Sequence, residues 1–287
     1  MINWGILGLG RMGRTFANAI KLISIASRSE NVFDNFKNNT YENVISNKEI
    51  DAIYISSLNN THVDLVKKVI QEKKFVLCEK PISTTLKDLN SIVTLEIINL
   101  IKNNEIGEIK TIECNFGFKA KVKSSSRLFN KSLGGGAIFD LGCYPISFFM
   151  LFCKDTKKIV FEEKNLNYAK TGVDDDATAT LNYDNKFTGK IHVSLKDNLK
   201  SICNIYGTKG YLKVNQPWLP NKESFIEVMS DNHFYLKTVN SGLSVYANQI
   251  EKVSNQFSNL NHNNKFNLFD IEKSLNNMRL IEEWLKN

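Results

Sequence analysis

The first third of the chain alternates apolar segments with amphipathic ones, and this alternation constrains the fold more than any other feature. Ile2-Asn3-Trp4-Gly5-Ile6-Leu7, Leu22 to Ala26, Ala52-Ile53-Tyr54-Ile55 and Phe75-Val76-Leu77-Cys78 read as buried strands. Helices are predicted over Arg14 to Lys21, over His62 to Lys73 and from Thr85 onward. Strand–helix alternation implies a parallel sheet with helices on its faces, an α/β arrangement. Farther on, one helix is predicted across Gly136 to Phe152. Strand patterns follow over Ala177 to Tyr183, Phe187 to Leu195 and Ile202 to Val214. The last is broken by Gly207-Thr208-Lys209-Gly210, read as a hairpin turn in which glycine supplies positive φ. Two helices are predicted near Val245–Phe257 and Asp270–Lys286, making this part α+β. The boundary is placed at residue 95, giving domains 1–95 and 96–287, each long enough to bury a core.

Three junctions are short. Val32-Phe33 reads as the next strand only a few residues after Arg28, whereas a parallel crossover needs about a dozen. Leu86 to Asn103 reads as one unbroken amphipathic stretch where another strand belongs. Breaks in Cα spacing, marking missing loop segments, are expected near residues 21–22, 28–32 and 94–96.

Charge and cysteines narrow the function classes. The net charge is +7, but only five of 37 basic residues are arginine and the lysines are scattered, which argues against nucleic acid. A generally basic surface favours anionic small molecules. No apolar run suggests a membrane-spanning helix, and Met1 to Gly5 shows no secretory signal. Five scattered cysteines without a CxxC pair fit a reducing cytosol and no zinc site.

Gly8-Leu9-Gly10-Arg11-Met12-Gly13 matches G-x-G-x-x-G between a strand and a helix, the context of a dinucleotide-binding turn. Gly8 permits the tight turn, Gly10 the approach of a pyrophosphate, and Gly13 close helix–strand packing. The second strand ends in Ile25-Ala26-Ser27-Arg28 with no acid to bind a ribose 2′-hydroxyl. Ser27 and Arg28 suit a 2′-phosphate instead, so NADP is favoured over NAD. Lys80, in Cys78-Glu79-Lys80-Pro81, follows the fourth strand at the edge where open α/β sheets bind ligands. It reads either as a surface lysine or as an ammonium oriented by Glu79 toward a substrate hydroxyl. Asp140 and Tyr144 stand four apart on an otherwise apolar helix after Gly134-Gly135-Gly136, which favours a site over a purely structural pair.

The ordered set GLGRMG, SLNNTHVDL, CEKPIS, RLFNKSLGGGAIFDLGCYPIS and YGTKG resembles the Gfo/Idh/MocA oxidoreductases from residue 2 to about 215. The resemblance implies an N-terminal Rossmann domain and a C-terminal domain with a large open mixed sheet. It implies oxidation or reduction of sugars, polyols, inositols or cyclic diols with NADP or NAD, and a homodimer or homotetramer formed through the open sheet. By the same resemblance Lys80 touches substrate and nicotinamide, Asp140 positions the substrate, and Tyr144 stands where many members carry a histidine acid/base. Tyrosine there is similar to the dihydrodiol dehydrogenase and glucose–fructose oxidoreductase branch. Leu58, Asn59 and His62 match the segment near the nicotinamide ribose. Leu58 replaces a frequent proline, and His62 serves equally well as a helix cap. Members carry a further strand and a segment resembling E-A-x-x-x-R-x-x-P after E-K-P, but here Val93-Thr94-Leu95-Glu96 runs past that place. With two other short junctions, this points to a missing segment rather than a true loss. The rival functions are a non-catalytic dinucleotide-binding module and an NAD-dependent lyase or glycosidase.

Overall fold

The computed structural model describes residues 2–18, 20–28, 33–79, 92–123, 125–240 and 271–286. The described residues up to Glu79 form one compact unit, and those from Ile92 onward form a second.

The first unit runs β1 (Asn3–Leu7), α1 (Arg11–Ala17), β2 (Lys21–Ala26), β3 (Asn38–Asn39), α2 (Tyr41–Ser46), β4 (Ala52–Ile55), α3 (His62–Gln71) and β5 (Phe75–Cys78). Its sheet has the order β3-β2-β1-β4-β5, and every pairing is parallel. The strands carry continuous apolar runs because both faces are covered. Trp4 and Ile6 join Phe16, Ile25 and Tyr54 in one core cluster, while Leu7 joins Val44, Ile53 and Val69 in another. The parallel α/β reading therefore holds, with two corrections. The first helix starts at Arg11 and ends at Ala17, because Gly10 is already extended and Lys21 opens β2. The predicted strand at Val32-Phe33 does not form as read: Val32 lies outside the described residues, Phe33 makes only an isolated bridge to Phe36, and the edge strand is Asn38–Asn39.

The second unit contains α4 (Ile92–Lys102), β6 (Ile109–Gly117), α5 (Cys143–Met150), β7 (Ile159–Tyr168), β8 (Asp174–Tyr183), β9 (Phe187–Ser194), β10 (Ile202–Gly207), β11 (Gly210–Asn215), β12 (Glu223–Ser230), β13 (His233–Asn240) and α6 (Ile271–Leu285). Its eight-stranded sheet has the order β13-β12-β11-β10-β6-β9-β8-β7. Only β6–β9 is parallel, so the sheet is mixed. Ile112, Cys114, Ile191, Val193, Leu212, Val214, Ile226 and Val228 form one face of the core, with Ile97, Phe148, Phe149, Leu280 and Trp284 from the helices packed in the same cluster. The stretch Lys131–Met150 is apolar enough to span a bilayer, with mean hydropathy 1.2, yet 78% of it is buried in the protein. That burial is the mark of a core helix.

The expected breaks are absent at two junctions. Lys21–Ala26 is one strand, and Ile92–Lys102 is one helix through residues 94–96. The chain simply runs through where a further strand was expected. Residues 29–32, the helix start at Thr85 and the helix near Val245–Phe257 lie outside the described residues. The Gly207–Gly210 turn also has a different cause from the one expected. Neither glycine has positive φ. A Cβ on Gly207 would lie 2.0 Å from the Ile106 carbonyl oxygen, and one on Gly210 would lie 1.8 Å from that of Met229. Close backbone approach, not handedness, requires glycine there.

Candidate functional site

In the first unit the glycine turn follows β1 directly. Gly8 has φ +98°, and a Cβ there would meet the Ser56–Ser57 backbone at 2.6 Å. The Ser56 hydroxyl donates to the Gly8 carbonyl at 2.6 Å, tying the β1 and β4 ends together. A Cβ on Gly13 would lie 2.3 Å from the Gly8 carbonyl oxygen, so α1 packs onto the turn only because residue 13 has no side chain. Gly10 differs: it is exposed, and nothing lies within 4 Å of its would-be Cβ. Its missing side chain opens space on the outer side of the turn, beside the first N–H groups and positive dipole end of α1. That is the cradle a pyrophosphate needs. Leu9 can contribute only backbone, since its side chain is 2% exposed in the core, whereas Arg11 is exposed and Met12 half-buried.

The three glycines therefore predict different mutational outcomes. Gly13→Ala is expected to destabilise the unit by about 1–3 kcal/mol through overpacking. Gly10→Ala should leave the melting temperature unchanged and weaken cofactor binding at least about tenfold, roughly 1.4 kcal/mol. Thermal melts with a cofactor titration on both variants separate the two effects.

At the end of β2, Asn38 holds Ser27 from both sides. Its Oδ1 accepts the Ser27 N–H at 2.7 Å, and its Nδ2 donates to the Ser27 carbonyl at 2.8 Å. Arg28 is exposed just beyond, and its charge opposes the upward push that burial gives the Tyr41 hydroxyl pKa. Among the described residues of this strand end, Ile25 to Arg28, none is an acid.

The β4–α3 loop carries Leu58, Asn59 and His62. Leu58 has φ −72°, within the range of proline, so the backbone survives the loss of the family's frequent proline. Leu58 and Asn59 are half-buried. His62 opens α3, is fully buried, and has Nε2 3.2 Å from the Ser57 carbonyl. The ring thus ties the loop to the start of α3, whose N-cap is Thr61, so His62 is not the cap. Glu79, one residue past β5, accepts a hydrogen bond from the buried Tyr54 hydroxyl. Tyr54 in turn stacks on Phe16 at 3.9 Å between centroids. Glu79 is thus anchored from β4, a partner the sequence reading missed although a buried phenol in an apolar strand needs an acceptor. Lys80 itself lies outside the described residues.

In the second unit Asp140 and Tyr144 occupy successive stretches of one helix. Asp140 lies in a π-helical turn, Ile138–Gly142, and Tyr144 lies in the first turn of α5. Single π turns recur at functional sites. Asp140 is 7% exposed, and its Oδ1 accepts from Arg127 Nη2 at 3.0 Å. Arg127 was missed although it heads the same motif, in RLFNKSLGGG. The half-buried Tyr144 ring sits edge-on to Phe116 at 5.4 Å and 6.4 Å from Trp218. Trp218 is fixed by donating Nε1–H to the Asn115 carbonyl at 3.2 Å. A guanidinium-paired carboxylate and a phenol walled by aromatic rings suit a small polar ligand that exchanges a proton. Among the described residues no cluster of three or more His, Cys, Asp or Glu could hold a metal.

A parallel sheet with a glycine cradle, joined in one chain to a mixed-sheet unit bearing this pair, defines a two-domain dinucleotide-dependent oxidoreductase. Residues 2–98 match the model of the oxidoreductase family with an NAD-binding Rossmann fold, and residues 94–213 match the GFO/IDH/MocA C-terminal domain. The chain belongs to the Gfo/Idh/MocA oxidoreductase family. It is 27% identical over 256 residues to the trans-1,2-dihydrobenzene-1,2-diol dehydrogenase of Xenopus tropicalis, covering 76% of each chain. Two solved structures share the fold. A 3-ketoreductase from Actinomadura kijaniata in complex with TDP-benzene and NADP gives a TM-score of 0.82 at 18% identity, covering 98% of this chain and 96% of that one. The aldose–aldose oxidoreductase from Caulobacter crescentus, complexed with glycerol, gives 0.83 at 16%, covering 99% and 96%.

Proposed function

We propose that this protein is an NADP-preferring dehydrogenase or reductase acting on a carbinol carbon of a sugar, polyol or cyclic diol. The observation that carries the proposal is the Tyr144 phenol, set between Phe116 and Trp218 on the helix whose Asp140 is paired with Arg127. When bound, the nicotinamide supplies the hydride chemistry. The protein holds and moves the proton. As phenolate, Tyr144 takes it from the substrate hydroxyl during oxidation, and as phenol it returns it during reduction. Lys80 supplies an ammonium that favours the developing alkoxide of the substrate. Asp140, held by Arg127, accepts a hydrogen bond from a substrate hydroxyl and fixes its orientation. Relatives acting on a dihydrodiol and on D-xylose support a small hydroxylated substrate.

The preference for NADP rests on Arg28 and on the missing acid at the end of β2. Arg28→Ala is expected to raise the Kd for NADP about tenfold or more and to leave NAD binding nearly unchanged. Equal losses for both cofactors would reject the assignment. Self-association is proposed through the outer face of the sheet, where Tyr206, Phe225, Phe234 and Leu236 are exposed at 38–57% and lie on adjoining strands. A cytoplasmic location is proposed from five scattered, buried cysteines without a CxxC pair.

The unbroken α4 favours a second reading. Without the segment that relatives carry after E-K-P, the chain would bind dinucleotide without turning it over. Rates with NADP and NAD across a panel of sugars, polyols and cyclic diols decide between the two.

A further inference from the structure

The helix that carries Asp140 and Tyr144 receives no side-chain cap from its own N-cap residue, Ala137. Its first N–H groups are taken up by a different element. Asp174, the first residue of β8, accepts the Ile138 N–H on Oδ2 at 2.6 Å, and the Ala137 backbone also favours its carboxylate. Asp174 is 3% exposed. The space its carboxylate needs is made by Gly136, which has φ +119° and whose would-be Cβ would lie 2.2 Å from Asp174 Oδ1. Any other residue at 136 would displace the carboxylate or strain the backbone.

We propose that Asp174 is a positioning residue, a carboxylate delivered by β8 that fixes the start of the site helix and so sets where Asp140 and Tyr144 stand. The proposal rests on the reading of those two residues as the site. Asp140 follows the clamped Ile138 by two residues, and its own N–H bonds the Gly136 carbonyl at 3.1 Å. Movement at the clamp therefore passes directly to the acid that orients the substrate.

Burial pushes the Asp174 carboxyl up to about 6, and the neighbouring Asp175 adds to the rise, against the N–H donors. The other charged groups around it have partners. Arg127 is bonded to Asp140, His192 to Asp176, and Lys196 acts on Asp175. The sign follows from the raised value. The folded protein takes up this proton more readily than the unfolded chain, so the ionised form lowers stability above about pH 6. That cost disappears as the pH falls through 6 toward the ordinary aspartate value. A clamp opened to water would return to the ordinary aspartate value, so acidification favours the closed clamp.

The test uses the full chain carrying Asp174→Asn, Asp174→Ala or Gly136→Ala. Bound cofactor should be unaffected. Asp174→Ala and Gly136→Ala should lower kcat about tenfold to a hundredfold with a smaller change in KM. Asp174→Asn, which keeps one acceptor, should recover part of the loss. Wild-type kcat in both Asp174→Ala and Gly136→Ala would overturn the proposal. Amide exchange over residues 136–144 reads the clamp without any substrate. It should quicken in Asp174→Ala. Unchanged protection overturns the proposal even if no substrate is found. Intact wild-type turnover with quickened exchange and an unaffected variant rate overturns the positioning role alone.

Discussion

Replacing Lys80 by alanine is expected to lower kcat by about two to four orders of magnitude and to leave cofactor affinity largely intact. β5 ends at Cys78 in the same parallel sheet as β1, which leads into the glycine turn, and Lys80 follows it by two residues in the sequence. Ligands in open α/β folds sit at that end. In the proposed mechanism an ammonium there favours the alkoxide that develops on the substrate. That charge grows toward the transition state, so the loss should fall on kcat more than on KM. Near-normal turnover in Lys80→Ala would remove lysine from the mechanism. The anchoring of Glu79 by Tyr54 bears on the choice of variant. Lys80→Ala leaves that bond in place, whereas a change at Glu79 would remove it and mix catalysis with stability.

Tyr144→Phe should lose about two to four orders of magnitude in kcat with little change in melting temperature. Phenylalanine keeps the ring that packs against Phe116 and Trp218, so the aromatic wall is retained. Only the hydroxyl is removed. A variant that melts like the wild type, binds cofactor like the wild type and does not turn over isolates the proton-transfer role. A large fall in melting temperature would instead make the hydroxyl a structural group, and unchanged kcat would move the acid/base role elsewhere.

The parts legible in the sequence are those whose signal is local. The parallel strands announce themselves because burial on both faces leaves continuous apolar runs, as in Ala52–Ile55. The glycine turn is legible because strand, three glycines and helix are contiguous. The mixed sheet was half legible. In β6, Ile112 and Cys114 alternate with Thr111, Glu113 and Asn115, so its period-two signal was present and passed over. The edge strands β7 and β13 are mostly exposed and carry little alternation to find. Long-range pairs had no local signal. Arg127 reaches Asp140 across 13 positions, Tyr54 reaches Glu79 across 25, and Asp174 reaches Ile138 across 36. Local patterning places side chains on faces but does not say which faces meet. The short junctions misled for a related reason. Spacing rules borrowed from longer family members demanded a strand where this chain continues a helix.

The most direct test follows reduced nicotinamide by absorbance while the wild type, Lys80→Ala and Tyr144→Phe are offered NADP with sugars, polyols and cyclic diols. The expected result is NADP-dependent turnover of at least one such compound by the wild type, nearly abolished in both variants while each still binds NADP. Turnover that survives both substitutions, or tight cofactor binding with no net oxidation or reduction of any compound, would contradict the assignment.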